Sequence, residues 1–183
     1  SGELISTFDT RGEFAYTVPE PIGIVGVIIT WNGPVISLAM KVAPALAAGN
    51  CVIVKPAEIT PFAPELYARL AKEAGVPDGV LTIMPGTAEA GEALVRHPAV
   101  ELITFTGGPI TARKIMAACA ERIKPSVMEL GGKSPLVIFD DADLDAAIPV
   151  VVNAIVQNSG QTCSAGSRVL IQQGIYEPLL KRL

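Results

Sequence analysis

Short aliphatic runs alternate with longer amphipathic stretches along most of the chain. The runs are bounded by Gly, Pro or Asn, and a stretch with helical spacing follows each of the first four. Continuous aliphatic runs are typical of parallel strands, because helices cover both faces of a parallel sheet. Strands are predicted at residues 22–30, 51–54, 80–84, 102–106 and 126–130. The alternation predicts an α/β fold, a doubly wound, Rossmann-like parallel sheet with right-handed crossovers.

Capping residues indicate where the intervening helices begin and end. Helices are predicted at residues 35–48, 60–74, 87–96 and 109–122. Gly49 and Asn50 form a C-terminal signal for the first helix, since glycine readily adopts the left-handed conformation that follows a helix. Thr60 is predicted as the N-cap of the second helix, with Pro61 at its first position. The connections are short, as expected for a doubly wound domain.

The pattern changes at the two glycines 131–132, which interrupt the aliphatic runs. The predicted elements beyond them are strands at 136–139 and 169–172, a helix ending near 157 and a helix from 175. An aspartate within 140–143 is expected to cap the first of these helices, and Pro149 is expected to interrupt it. The last helix is still in progress at Leu183. We therefore expect a second α/β unit, of which the chain contains only the beginning.

Composition limits the class of protein and its partners. Half of the 183 residues are hydrophobic and 17% are charged, which supplies enough apolar material for a sizeable core. The net charge is −4 and the 14 Lys and Arg residues are scattered, so no nucleic-acid partner is expected. The apolar runs have the length of strands, and the polar N-terminus is unlike a signal peptide. We therefore expect a cytoplasmic protein that binds no membrane.

The three cysteines differ in their surroundings. Their odd number and wide spacing predict neither a disulfide framework nor a metal site, and free thiols fit a reducing cytosol. Cys51 opens an aliphatic strand and Cys119 lies in an alanine-rich helix, so both are predicted to pack in the core. Cys163 lies among glycines and polar residues in NSGQTCSAGSR, which favours an accessible nucleophile. The single histidine, His97, is predicted at a helix end on the surface, so another group must act as the base.

Polar residues and glycines follow the predicted strands. In an open α/β sheet, ligands bind at the carboxyl ends of the strands. Since such residues end or follow all five strands, we expect one shared crevice at that edge. They are Trp31, Asn32, Lys55, Glu58, Gly86, Gly107, Gly108 and Glu129.

Several of these residues have a structural alternative. Gly107 and Gly108 precede a helix N-terminus, which favours pyrophosphate binding, although a tight turn explains them equally well. Lys55 and Glu58 could hold a ribose or could form a solvated surface pair. Asn32 could donate to an oxyanion or cap the helix that follows it.

The fifth predicted strand ends with a glutamate and is followed by a sequence that resembles part of a P-loop. Glu129 lies between two apolar residues, a low-dielectric setting that favours a general base, while a carboxylate held by backbone amides is the alternative. The GGKS sequence at 131–134 resembles the end of a P-loop. However, Val127 stands where that motif needs a glycine, and Pro135 follows it, so no NTPase is predicted.

Four segments in order resemble the aldehyde dehydrogenase superfamily. PIGIVGVIITWNGP resembles its PxGVVGxIxPWNxP segment, and KVAPALAAGNCVIVKPAE resembles its APALAAGNTVVxKPAE segment. MELGGKSP resembles the ELGGKSP glutamate motif, and GQTCSAGSR resembles the GQxC nucleophile motif. The resemblance covers nearly the whole chain, and it implies a fragment of a longer, non-acylating enzyme. Residues 1–130 would then be the NAD-binding domain, and residues 131–183 the start of the catalytic domain.

The resemblance also implies roles for individual residues. Cys163 would be the nucleophile and Glu129 the general base, while Asn32 and the Cys163 backbone N–H would form the oxyanion hole. Lys55 and Glu58 would hold the adenosine ribose, and Gly107 and Gly108 would lie near the pyrophosphate. The cofactor cleft would be lined by Ile29, Trp31, Gly86, Phe105 and Leu130. The implied reaction is oxidation of a small-molecule aldehyde to a carboxylic acid with NAD, in a homodimer or homotetramer.

Two other activities and several departures from the family pattern remain open. Glu58 disfavours NADP, because a carboxylate there would repel the 2′-phosphate. The alternatives to a hydrolytic enzyme are an NAD-binding module without turnover and an enzyme that transfers the acyl group to coenzyme A. The departures are Thr30 for a proline, Gly33 for a phenylalanine, Gly108 for a serine and Ala112 for a glycine.

Overall fold

A parallel sheet of five strands organises the computed structural model, which describes residues 2–5 and 15–183. Its strands are β3 (Ile24–Ile28), β4 (Cys51–Lys55), β5 (Leu81–Ile83), β6 (Val100–Gly107) and β7 (Ser126–Leu130). A short antiparallel pair, β1 (Leu4–Ile5) and β2 (Ala15–Tyr16), precedes them. The order β5-β4-β3-β6-β7 puts the first long strand in the middle, with the chain winding outward on both sides. This order confirms the predicted doubly wound sheet.

Four helices connect these strands close to the predicted positions. They are α1 (Pro34–Ala47), α2 (Phe62–Glu73), α3 (Ala88–Arg96) and α4 (Pro109–Ala120). The prediction for Thr60 is wrong, because Pro61 takes the N-cap position and α2 begins after it. The backbone N–H of Thr60 donates to the carbonyl of Ala57, so Thr60 belongs to the preceding turn.

The core lies on both faces of the sheet. One cluster of buried side chains joins β3 and β4 to α1, with Leu38 and Val42 fully buried. The other joins β6 to α3 and α4, with Ile103 fully buried. Gly26 lies at the centre of β3, and a Cβ there would meet Ile103 Cδ1 at 2.7 Å. The absence of a side chain at this position therefore permits the close packing of the second face.

The C-terminus of α1 is tied to the start of β3. Gly49 has a φ of +82°, and its N–H donates to the Leu46 carbonyl while the Asn50 N–H donates to the Ala45 carbonyl. These bonds form a Schellman motif, which confirms the predicted helix end. The buried Asn50 side chain accepts from the Gly23 N–H at 3.0 Å. This turn therefore provides hydrogen-bond partners for backbone groups at the end of α1 and just before β3.

The remaining elements form a second, smaller sheet. Strands β8 (Pro135–Ile138) and β9 (Arg168–Ile171) are parallel and pack against α5 (Leu144–Val156) and the short α6 (Tyr176–Leu180). Asp143, one of the aspartates predicted as caps, is the N-cap of α5, and its carboxylate accepts from the Asp145 N–H at 2.9 Å. The prediction that Pro149 interrupts the helix is wrong, since α5 continues through it. A proline there removes one backbone hydrogen bond, and the buried Val151 still anchors the following turn.

The change of sheet falls between β7 and β8. The five-stranded sheet has its own buried clusters, while β8 and β9 share a separate cluster around Ile138 and Leu179. The domain boundary at residue 130 stays a prediction. No helix of residues 2–5 and 15–183 is long and apolar enough to cross a bilayer.

Candidate active site

The parallel register aligns the carboxyl ends of the strands at one edge. Ile28, at the end of β3, pairs with Lys55 on one side and with Phe105 on the other. On the far side of β6, Glu129 pairs with Thr106. The structure therefore brings the predicted residues of β3, β4, β6 and β7 to one edge. The chain reverses its winding between β3 and β6, the place where such sheets form a ligand crevice.

The Lys55 side chain is buried, whereas the alternative of a surface ion pair predicted that it is solvated. Its side chain is 10% exposed, and its Nζ lies 3.9 Å from Glu58 Oε1, whereas the Glu58 side chain is 56% exposed. The carbonyl of Lys55 accepts from the N–H of Ile29, which is buried. A buried ammonium beside an accessible carboxylate can donate to and accept from neighbouring hydroxyl groups.

The turn between β6 and α4 requires glycine and leaves backbone amides open. A Cβ on Gly107 would meet Phe105 Cζ at 2.5 Å, while the space around Gly108 is open. No described side chain caps α4, and its first turn carries no acidic residue. The Thr106 hydroxyl is buried without a hydrogen-bond partner among the described residues. The uncapped amides and the unopposed dipole of α4 fit a dinucleotide phosphate group.

The remaining predicted cleft residues lie at or just beyond the carboxyl ends of their strands. Gly86 follows β5, and a Cβ there would meet Ala90 Cβ at 2.7 Å, so glycine permits the close approach of α3. Phe105 is buried and Leu130 packs against the same cluster. Trp31, three residues beyond the end of β3, is 42% exposed. The indole is therefore available to a ligand at this edge.

The segment that carries Cys163 lies between α5 and β9. Cys163 is exposed, as its glycine-rich neighbourhood predicted, while Cys119 is buried and Cys51 is partly buried. The loop returns to α5 at Gly166, whose N–H donates to the Ala154 carbonyl at 3.0 Å. A Cβ on Gly166 would lie 3.0 Å from Ala154 Cβ, so glycine keeps the loop close to the helix.

Asn32 joins the β3 loop to the Cys163 loop. Its side-chain amide donates to the Gln161 carbonyl at 2.7 Å, across 129 positions of the chain. Gly33 occupies the N-cap position of α1, and no side chain of the described residues caps that helix, so the N-cap alternative for Asn32 is wrong. The structure therefore brings the predicted oxyanion donor to the loop that carries the predicted nucleophile.

Glu129 is exposed, so the predicted apolar setting of its carboxylate is wrong. Side chains alternate between the two faces of β7: Met128 and Leu130 pack against a core cluster, whereas Glu129 lies on the opposite face, which is exposed. No described residue forms a hydrogen bond or an ion pair with Glu129. Its charge is therefore free to interact with solvent and with more distant groups.

Lys41 is a site neighbour that sequence reasoning missed. Its Nζ donates to Thr104 Oγ1 at 2.7 Å, beneath the carboxyl edge of β6. Burial lowers the pKa of Lys41 below its ordinary value, and the charge of Glu129 opposes part of this fall. The available signal was a single charged residue in an otherwise uncharged helix, residues 34–47.

The whole chain, residues 1–183, matches a family model described as the aldehyde dehydrogenase family. The chain belongs to the aldehyde dehydrogenase family. It is 50% identical to aldehyde dehydrogenase 1 of Tanacetum cinerariifolium over 171 residues, which are 92% of this chain and 34% of that protein. The chain thus spans about a third of that relative's length. Within residues 2–5 and 15–183, no cluster of His, Cys, Asp and Glu could hold a metal ion.

Two solved structures of this fold differ in the cofactor that their names state. PnpE in complex with nicotinamide adenine dinucleotide has a TM-score of 0.91 and 40% identity, covering 99% of this chain and 37% of that one. An E. coli NADP-dependent enzyme has a TM-score of 0.93 and 38% identity, covering 100% of this chain and 38% of that one. Overall similarity to aldehyde dehydrogenases therefore leaves open the choice between NAD and NADP.

The different burial of the thiols predicts selective alkylation in this aldehyde dehydrogenase chain. Burial raises the pKa of the Cys119 thiol, and the charge of Lys124 offsets only part of this rise. Since the thiolate is the reactive form, we expect iodoacetamide at pH 8 to modify Cys163 at least about ten times faster than Cys119. Peptide mass spectrometry measures both rates, and guanidinium-unfolded protein is the control in which they should converge. Equal rates in the folded protein would contradict the prediction.

Proposed function

We propose that this chain is part of a longer NAD-dependent aldehyde dehydrogenase that oxidises a small-molecule aldehyde to a carboxylic acid. The observation that carries the proposal is the hydrogen bond from Asn32 to the Gln161 carbonyl. It holds an amide donor beside the loop of an exposed cysteine, at the ligand-binding edge of a doubly wound sheet. This arrangement supplies a nucleophile and a donor for the oxyanion that its attack creates.

Three residues would carry the chemistry. The Cys163 thiol loses its proton to solvent, and its sulfur then attacks the aldehyde carbon while the carbonyl electron pair moves to oxygen. The Asn32 amide and the Cys163 backbone N–H stabilise that negative charge. After oxidation, a thioester joins Cys163 to the acyl group, and Glu129 removes a proton from the water that attacks it. The thiolate leaves, and the carboxylic acid is released.

The cofactor-binding residues proposed from the sequence fit a nicotinamide dinucleotide. When bound, it supplies the acceptor for the hydride that aldehyde oxidation releases. Lys55 and Glu58 would hold the adenosine ribose, and the amides around Gly107 and Gly108 would hold the diphosphate. The walls of the cleft would be formed by Ile29, Trp31, Gly86, Phe105 and Leu130. We favour NAD over NADP, because the exposed Glu58 carboxylate accepts from vicinal hydroxyls and repels a 2′-phosphate.

A second candidate reaction transfers the acyl group to coenzyme A. The accessible carboxylate of Glu129 favours hydrolysis, since it leaves a base open to water at the carboxyl edge.

We also propose that the parent enzyme, the longer protein of which this chain is part, is a cytoplasmic homodimer or homotetramer. All three thiols are free, which agrees with a reducing compartment.

The test combines binding and turnover. Calorimetry measures NAD binding to the 183-residue chain, and absorbance at the NADH band measures aldehyde-dependent turnover by the parent enzyme. We expect binding to the chain and turnover only in the parent. Binding to the chain without turnover in the parent would reduce the proposal to a binding module. An acyl-coenzyme A product would replace hydrolysis with acyl transfer.

A further inference from the structure

The segment before Cys163 has an unusual backbone conformation. Asn158, Ser159 and Gly160 are consecutive and have φ values of 50°, 56° and 75°. The left-handed region is open to glycine and tolerated by asparagine, but it is unfavourable for serine because of its Cβ. A run of this kind persists only where neighbouring contacts hold it.

Side-chain amides hold this run in place. The Asn158 side-chain amide donates to the backbone carbonyl of Gln161 at 3.2 Å and to the backbone carbonyl of Asn32 at 3.4 Å. Gln161 returns a bond from its N–H to the Asn158 carbonyl at 3.0 Å. The Asn32 amide donates to the same Gln161 carbonyl, whose two lone pairs accommodate both donors. We call these three residues the amide ring.

The amide ring fixes the orientation of Asn32. A primary amide has two N–H groups in one plane, so a bond from one of them determines the direction of the other. The bond to Gln161 uses one N–H of Asn32 and leaves the second for a ligand. The position of the Gln161 carbonyl depends in turn on the left-handed run and on Asn158.

We infer that Asn158 is a positioning residue for the oxyanion hole. It holds the Gln161 carbonyl so that the Asn32 amide faces the carbonyl group under attack by Cys163. This inference rests on the proposed function of Asn32 and Cys163. Asparagine suits position 158 because it combines tolerance of the left-handed region with an amide donor.

Two glycine variants separate the side-chain contacts from the backbone conformation. Asn158→Gly permits the left-handed conformation but removes the amide. Ser159→Gly, the matched control, also permits it and leaves the amide ring intact. Circular dichroism verifies that both variants are folded. Only Asn158→Gly is expected to change the orientation of the Asn32 side-chain amide.

The first measurement requires no turnover. In the 183-residue chain, the side-chain amide proton resonances of Asn32 are followed by NMR and assigned by their loss in Asn32→Ala. We expect the bonded proton to exchange with solvent about ten times faster in Asn158→Gly and at an unchanged rate in Ser159→Gly. An unchanged resonance and exchange rate in Asn158→Gly would overturn the inference.

The second measurement is a double-mutant cycle in the parent enzyme. Asn158→Gly is expected to lower kcat by about 10- to 100-fold with little change in KM, because the oxyanion exists only after attack. In an Asn32→Ala background, it should have almost no further effect. If the two effects multiply, Asn158 acts independently of Asn32 and the inference is wrong. If the parent oxidises no aldehyde, the proposed function fails while the NMR measurement still decides the role of Asn158.

Discussion

Replacing Cys163 with alanine is expected to lower aldehyde-dependent NADH formation by the parent enzyme by about 10⁴-fold or more. Without the sulfur, no covalent bond to the aldehyde carbon forms, and the tetrahedral centre from which hydride departs does not arise. The side chain is exposed and belongs to none of the buried clusters, so its removal leaves no cavity. The free energy of unfolding should therefore change little.

The measurement is steady-state kinetics with calorimetry of NAD binding as a companion. Cys51→Ala is the matched control, since it removes a partly buried thiol away from the carboxyl edge, and it should keep kcat within about threefold. Cys163→Ala should still bind NAD, because its cofactor residues are unchanged. Substantial turnover by Cys163→Ala would refute the covalent mechanism.

Replacing Glu129 with glutamine is expected to block the second half of the reaction. The carboxylate would remove a proton from the attacking water, and an amide of the same shape cannot, so kcat should fall by about 10²- to 10⁴-fold. Attack by Cys163 does not require that base, and one equivalent of NADH should still form rapidly. The thioester should then accumulate on Cys163.

Stopped-flow absorbance and intact-protein mass spectrometry test both halves of this expectation. Glu101→Gln is the control, since Glu101 is exposed near the opposite end of the neighbouring strand β6 and should have no effect. Unchanged steady-state turnover in Glu129→Gln would rule out its role as base. Coenzyme A-dependent turnover that survives the substitution would favour the acyl-transfer alternative.

The central sheet was predictable because its strands are local features. β3 and β4 have apolar side chains packed on both faces, fully buried on one and partly buried on the other, and a continuous aliphatic run predicts such a strand without knowledge of its neighbours. Gly49 was predictable for a similar reason, since a left-handed helix end depends on one residue. The alignment of Lys55 and Phe105 beside β3 then followed from the parallel arrangement of the strands.

The features that sequence missed depend on distant residues. Glu129 is flanked by apolar residues, but those residues pack on the opposite face of β7, and which face the core covers depends on elements from other parts of the chain. The bond from Asn32 to Gln161 joins residues 129 positions apart, and a local pattern favoured a helix cap as one reading of Asn32. Lys41 was overlooked because its partner, Thr104, lies on a strand of another part of the chain.

The central position of β3 determines which parts of the site are affected by local unfolding. β3 pairs along its length with β4 and β6, and its side chains are buried on one face and partly buried on the other, so it should separate from the fold only when the whole sheet unfolds. Asn32 lies four residues beyond the end of this strand, whereas Cys163 lies on an exposed loop beside a two-stranded sheet. The backbone of Asn32 is therefore the better anchored of the two, and thermal motion of the Cys163 loop moves both the sulfur and, through Gln161, the bond that orients the Asn32 amide.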